Sequence, residues 1–230
     1  MVNVKGATVV VTGGQRGLGK AVVQEFLDRG AAKVYATARA PKPSEDPRVV
    51  SVELDVTKPD SVAALAATAG DAEIVVNNAG VLAARQLLSS DIEEARAVFE
   101  TNYFGALRVA KAFAPILAEN GGGALVDILS ILSWLPGSGG YGDSKAALWS
   151  ATNSLRLELE KQGTLVTGVH LSYTETDMTD GFDVPKNQPR DVALAIVDGI
   201  ERGDAEVLAD DDTRYVKSAL SGPIEALRAG

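Results

Sequence analysis

The segment GGYGDSKAAL, Gly139 to Leu148, sets a phenol and an ammonium group one helical turn apart, at Tyr141 and Lys145. Residues at that spacing share one face of a helix. A phenol ordinarily titrates near ~10, and a cation within about 4–6 Å lowers the pKa of an acid by roughly 1–3 units. A Tyr–Lys couple so arranged can give or take a proton near neutral pH, which is the work of a general acid/base. Ser130 ends the apolar run ALVDIL (124–129), where its hydroxyl can donate to a carbonyl or alkoxide oxygen. Ser133, nearer to Tyr141, is assigned to the turn before WLPG. A Tyr-x-x-x-Lys pair alone is a short motif that chance supplies often, so its meaning depends on the elements that hold it.

Those elements alternate along the chain. Strands are expected at ATVVVT (7–12), KVYAT (33–37), VVSVEL (49–54), EIVVNN (73–78), ALVDIL (124–129), TLVTGVHL (164–171) and AEVLA (205–209). Helices are expected over GLGKAVVQEFLDRG, near 58–69, from about Ser90 to Glu119, over 141–162, near 189–202 and at the carboxyl end. The run Asn120-Gly121-Gly122-Gly123 supplies the stop for the longest of them. Such alternation means βαβ units. The fold class is therefore α/β: a doubly wound (Rossmann) parallel sheet of about seven strands with helices on both faces. The first strands are apolar at nearly every position, as strands covered on both sides should be. No repeat or linker divides residues 1–230, which read as one domain.

Composition narrows the partners. The net charge of -9 argues against a nucleic-acid binder, whose phosphate contacts need clustered Lys and Arg. No apolar run approaches the ~20 residues of a membrane span. With no Cys and 1 His, no metal site of the usual zinc kind is expected. That histidine, His170, lies in an expected strand and reads as a buried, hydrogen-bonded residue without a catalytic task. The amino terminus runs straight into a strand without a secretory signal, so a cytoplasmic protein is expected.

The first strand–helix turn, VVVTGGQRGLGKAV, carries glycines at 13, 14, 17 and 19. Such a turn lets the backbone approach a pyrophosphate and aims helix N–H groups at it. The competing NTPase reading of Gly14-x-x-x-x-Gly19-Lys20 needs a magnesium-binding Ser or Thr next, where this chain has Ala21. At the end of the second strand, where NAD sites place a carboxylate, stand Thr37, Ala38 and Arg39. Arg39 with Arg16 of the glycine turn can hold a ribose 2′-phosphate through charge-assisted bonds of roughly 1.5–3 kcal/mol each. NADP(H) is the expected cofactor.

Taken in order, TGGQRGLG (12–19), LDVT (54–57), NNAG (77–80), ETNYFG (100–105), LSILSW (129–134) and YGDSK (141–145) resemble the motifs of a short-chain dehydrogenase/reductase. The resemblance is to the single-domain, NADP(H)-preferring type and covers nearly the whole chain. It implies a catalytic set of Asn102, Ser130, Tyr141 and Lys145. Lys145 would also hold the nicotinamide ribose, and Asn102 would anchor a water that relays protons to it. It implies cofactor contacts from Gly13, Gln15, Arg16, Gly17, Leu18 and Gly19 in the turn, and from Thr37 and Arg39 after the second strand. Asp55 and Val56 would lie beside the adenine, with Asn78, Ala79 and Gly80 nearby. Thr176 and Met178 would reach the nicotinamide end.

Departures from the family pattern are local. Ser130 is slightly closer to Tyr141 than usual, and Ser172-Tyr173 replaces a Pro-Gly after the sixth strand. The segment from Thr176 to Pro189 is short, which predicts an open pocket that Leu82, Trp134, Leu135, Tyr173, Met178 and Phe182 could line. The expected activity is NADPH-dependent reduction of small, apolar aldehydes or ketones, reversible as an alcohol dehydrogenase. The alternative, a non-catalytic NADP(H)-binding sensor on the same fold, predicts damage within the catalytic set, and none is found. A homodimer or homotetramer pairing through 90–119 and 141–162 is expected.

Overall fold

The computed structural model describes residues 2–83 and 86–227. Seven strands form one sheet: β1 (Thr8–Val11), β2 (Lys33–Ala38), β3 (Val49–Glu53), β4 (Ile74–Asn77), β5 (Ala124–Ile128), β6 (Leu165–His170) and β7 (Glu206–Leu208). All neighbours pair in parallel, in the order β3-β2-β1-β4-β5-β6-β7. The helices are α1 (Gly17–Asp28), α2 (Pro59–Thr68), α3 (Ile92–Phe99), α4 (Ala106–Glu119), α5 (Gly139–Leu159), α6 (Pro189–Arg202) and α7 (Asp211–Ala219). No helix among the described residues is long and apolar enough to cross a membrane.

The apolar strands are explained by the two layers they serve. Val9 and Val11 of β1 join Val22 and Phe26 of α1 and Val192 and Ile196 of α6 in one core layer. Val10, pointing the other way, joins Leu65 of α2 and Val109, Phe113 and Leu117 of α4 in the second. Successive strand residues face opposite sides, so a central strand needs apolar side chains at every position. Each such burial contributes about 1.5–3 kcal/mol. The strand order reverses between β1 and β4, and open α/β sheets bind ligands in the crevice beyond the carboxyl ends at that point.

Two helices differ from the sequence expectation. The helix expected from Ser90 to Glu119 is interrupted by a π-helical turn over Glu100–Gly105, between α3 and α4. Gly105 there presses on Val56, and a Cβ at that glycine would stand 2.7 Å from a Val56 methyl. The helix expected to begin at Tyr141 starts at Gly139 instead, a residue with φ +53°. Tyr141 is thereby held in the first turn of α5, immediately beyond the loop that leaves β5.

Candidate active site

The glycine turn is stitched to the segment after β4. The Thr12 hydroxyl accepts from the N–H of Asn78 at 2.9 Å and of Ala79 at 3.0 Å. Asn78 Nδ2 donates back to the Thr12 carbonyl at 2.8 Å. Gly13, at φ +65°, donates its N–H to Thr37 Oγ1 at 3.2 Å. A Cβ at Gly19 would collide with the Gly13 carbonyl, 2.2 Å away, so the turn closes only on glycine. The N-cap of α1, Arg16, makes no side-chain capping bond, and no acid occupies the first turn. Uncapped amides beside a glycine cradle are what a pyrophosphate requires, so these residues fit a dinucleotide. Gly17 abuts the methyl of Thr176, which brings the loop after β6 against the same turn.

The residues expected beside the ribose divide into two groups. Arg16 and Arg39 are exposed. Thr37 is fully buried, with its hydroxyl occupied by Gly13. Both polar atoms of the Gln15 side chain are bonded within the chain, to the backbone of Lys42 and to Ser51. Asp55 accepts from the N–H and hydroxyl of Thr57 at 2.9 and 2.7 Å. Those bonds, the hydroxyl's first, hold its carboxyl below the usual range, with lesser help from Lys58 and Arg39.

At the carboxyl ends of β4 and β5 the four expected catalytic side chains converge. Ser130 follows β5 and caps a 3₁₀ turn over Ile131–Ser133, accepting from the Leu132 N–H at 3.1 Å. Its hydroxyl also hydrogen-bonds to Tyr141. Asn102, buried in the π-helical turn, accepts from the Val81 N–H at 2.9 Å and donates to the Val81 carbonyl at 3.1 Å and to Ser144 Oγ at 3.0 Å. Ser144 in turn donates to the Tyr141 carbonyl at 2.7 Å. A Cβ at Gly80 would lie 3.4 Å from Asn102 Oδ1 and 3.9 Å from Lys145 Nζ, so that glycine leaves room between them. The hydroxyl of Ser133 is buried and has no hydrogen-bond partner among the described residues.

The electrostatics differ from the expectation of a lowered phenol pKa. Burial pushes Tyr141 up to about 12, partly opposed by its bond to Ser130. Lys145 is pulled down to about 8 by burial, partly opposed by the charge of Asp127. The ammonium donates to the Ile128 carbonyl rather than to the phenol, and so does little for Tyr141 in the free chain.

Asp127 was not singled out from the sequence. It is fully buried on β5 and accepts from Asn77 Nδ2 and Thr152 Oγ1, each at 2.8 Å. Burial raises its pKa, against the bonds from Asn77 and Thr152 and the charges of Lys145 and Arg156. Its signal was available: a carboxylate inside the otherwise apolar run ALVDIL.

On the substrate side the expected pocket residues separate. Trp134 and Leu135 pack in a cluster with Val216 of α7 and with Leu227. Trp134 also stacks on His170, with centroids 3.8 Å apart. His170 is fully buried, and its Nδ1 lies 3.1 Å from the Ser130 carbonyl. Burial is the main cause that lowers the imidazole to about 4, so it is neutral at pH 7. A neutral ring can donate from Nδ1 to that carbonyl and support the serine from behind. Tyr173 and Phe182 contact each other, centroids 5.3 Å apart, while Leu82 is half-buried and Met178 exposed. Ser172 explains the missing proline: its N–H donates to Asp210 Oδ2 at 2.7 Å, a bond that proline has no hydrogen to make. Asp210 also accepts from Asn187 Nδ2 at 2.8 Å and caps α7 through the Thr213 N–H at 2.8 Å.

This fold and these motifs meet in one family. A family profile for short chain dehydrogenase matches residues 7–186, and the chain belongs to that family. A short chain dehydrogenase from Burkholderia cenocepacia, solved in complex with NADP, is 36% identical with a TM-score of 0.92, covering 98% of this chain and 97% of that one. A short-chain dehydrogenase from Sphingobium yanoikuyae in complex with NADPH is 25% identical with a TM-score of 0.80, covering 96% and 94% of the two chains. The 1-deoxy-11-beta-hydroxypentalenate dehydrogenase of Streptomyces exfoliatus is 33% identical over 206 residues, which is 82% of this chain and 75% of the relative.

Proposed function

We propose that the chain is an NADPH-dependent carbonyl reductase, reversible as an alcohol dehydrogenase, acting on small apolar aldehydes and ketones. The observation that carries this reading is the convergence of Asn102, Ser130, Tyr141 and Lys145, linked through Ser144 and Gly80, at the crevice beyond β4 and β5. The NADP and NADPH bound in the Burkholderia and Sphingobium relatives support the choice of cofactor.

The residues that would hold NADP(H) are the glycine turn and the first amides of α1 for the pyrophosphate. Arg16 and Arg39 would hold the 2′-phosphate, Asp55 and Val56 the adenine, and Asn78 to Gly80 the ribose side. Tyr141, Lys145, Thr176 and Met178 would face the nicotinamide half. When bound, NADPH supplies the hydride that reduces the carbonyl carbon.

The chain's own groups then govern the oxygen and its proton. Ser130 donates a hydrogen bond to the carbonyl oxygen and strengthens it as negative charge develops. Tyr141, whose phenol keeps its proton at neutral pH, gives that proton to the same oxygen. Lys145 stands by as a cation that stabilises the phenolate left behind. Asn102 fixes Val81 and Ser144 around Lys145 and leads the path by which the proton is replaced.

Ile92, Phe104 and Leu157 are exposed, by 66%, 46% and 74%, on α3, the π-helical turn and α5. Apolar surface on these helices supports pairing into a homodimer or homotetramer. One domain over residues 1–230 and a cytoplasmic location belong to the same proposal.

The test is NADPH oxidation against a panel of aromatic and aliphatic aldehydes and ketones, with NADH and Tyr141→Phe as controls. Turnover with NADPH that disappears in the variant is the expected result. Tight NADPH binding without turnover of any carbonyl would displace this reading in favour of a sensor.

A further inference from the structure

Arg16 and Arg39 belong to different segments, and one side chain joins those segments. Gln15 Oε1 accepts the Lys42 N–H at 2.8 Å, and Gln15 Nε2 donates to the Lys42 carbonyl at 2.9 Å. The side-chain amide pairs with the backbone of one residue as a neighbouring strand would. Gln15 Nε2 also donates to Ser51 Oγ at 2.9 Å, and the Ser51 hydroxyl donates to the Lys42 carbonyl at 2.7 Å. Both lone pairs of that carbonyl are thereby used.

The position of Lys42 makes this pairing consequential. It lies between Pro41 and Pro43. Neither proline has an N–H, so Lys42 carries the one backbone donor of the three-residue stretch. Each proline also restricts the residue before it to extended conformations. The loop after Arg39 is therefore stiff at this stretch, and the amide it offers there is held by Gln15. Gln15 is itself the neighbour of Arg16, so the clamp ties the backbone bearing one guanidinium to the backbone bearing the other.

We propose that Gln15 is a specificity-determining residue: by clamping Lys42 it sets the spacing of Arg16 and Arg39 so that both meet one phosphate monoester, the 2′-phosphate of an adenosine ligand. The proposal rests on the assignment of Arg16 and Arg39 to that phosphate. The clamp acts by ordering the loop before the ligand arrives, so that the loop's freedom is not lost on binding. A ligand without the 2′-phosphate makes no demand on this spacing and should not sense the clamp.

The experiment titrates 2′,5′-ADP and ADP calorimetrically into the wild-type chain, Gln15→Ala, Ser51→Ala and Arg39→Ala, and follows hydrogen exchange at the Lys42 amide in the free proteins. Gln15→Ala is expected to weaken 2′,5′-ADP about tenfold, with ADP affinity held within about twofold. Ser51→Ala should show a smaller loss of the same sign. Faster exchange at Lys42 in Gln15→Ala would show that the clamp itself has been released in a folded chain. Unchanged 2′,5′-ADP binding in Gln15→Ala, beside a loss in Arg39→Ala, overturns the clamp and leaves the arginine assignment standing. Equal weakening of both nucleotides makes Gln15 a general part of the glycine turn and overturns its role in selectivity. A wild-type chain that binds both nucleotides alike removes the arginine assignment, and the clamp's role with it.

Discussion

Lys145 Nζ donates to the Ile128 carbonyl at 2.7 Å and stands 5.9 Å from the centre of the Tyr141 ring. The couple is thus assembled but not bonded to itself in the free chain. Its two members are driven apart in pKa by the same cause, burial, which raises the phenol to about 12 and lowers the ammonium to about 8. At neutral pH the phenol holds a proton to give and the lysine is charged, the state that the proposed carbonyl reduction would need.

Removing the phenolic oxygen should separate chemistry from binding. Tyr141→Phe is expected to reduce turnover by about 10²–10⁴-fold, the usual range for general acid/base catalysis. NADPH affinity, measured by calorimetry, should change little. Substantial activity in this variant would show that another group supplies the proton.

The pH dependence follows from Lys145. The profile of kcat/KM reports the free enzyme. It should fall as pH rises through about 8, where Lys145 loses its charge. A profile that stays level up to about 10, where an unperturbed lysine titrates, would mean that the lysine charge is not needed.

Asp127 yields a prediction about stability. Thr152 Oγ1 lies 2.8 Å from both Asp127 Oδ2 and the Leu148 carbonyl, yet has one hydrogen to give. A helical threonine readily gives it to the carbonyl four residues back, so the Asp127 carboxylate has that donor only in part. Its pKa is raised by burial. A group raised in the folded state contributes stability that is present below its unfolded pKa, near ~4, and lost as pH rises through the folded value. Asp127→Asn, whose amide can donate to Thr152 and accept from Asn77, escapes that loss. Its Tm should match the wild type near pH ~4 and exceed it at neutral pH. The kcat/KM limb of Lys145 should move to lower pH, because the opposing carboxylate charge is gone. A Tm difference that does not change with pH would show that Asp127 has no raised pKa.

The expected cofactor preference rests on Arg39. Arg39→Ala should weaken NADPH far more than NADH in parallel titrations. Equal losses for the two would take Arg39 out of phosphate recognition.

Ser172 offers a test in the opposite direction from family resemblance. Ser172→Pro restores the commoner residue but removes the N–H donated to Asp210. A hydrogen bond to a charged group contributes about 1.5–3 kcal/mol, and thermal or denaturant unfolding should show a loss of that order. A variant as stable as the wild type would mean that Asp210 finds an equal partner.

Much of the fold was legible because buried parallel strands must be apolar on both faces, and β1, β2, β4, β5 and β6 appear in the sequence as such runs. The ends of α6 were legible from Pro189 at its start and Gly203 after its end, where φ is +79°. The π-helical turn was not. The periodicity of ETNYFG continues a helix, and the amide of Asn102 is fixed there by Val81 and Ser144, residues distant along the chain. The Gln15 clamp escaped for the same reason, since a glutamine in a glycine turn gives no sign that it will pair with Lys42. Trp134 was expected as pocket lining, but it packs with Val216 of α7, at the other end of the chain, and stacks on His170. The Tyr141 pKa depends on how dry its surroundings are, which spacing along a helix does not reveal.

The cluster around His170 has an optical consequence. The chain's 2 tryptophans both lie in it, Trp134 and Trp149, edge to face with centroids 5.9 Å apart. Lys217 of α7 stands over each indole, at 5.2 and 5.8 Å. Excitation of the indoles therefore samples a single place rather than an average over the molecule. Their emission would report the seating of α7 against the end of β6, and would sense the crevice through the contact of His170 with Ser130 and through α5, which carries Trp149 as well as Tyr141 and Lys145. A change in that emission on adding a ligand would be the signature of movement transmitted through the back of the serine or along α5.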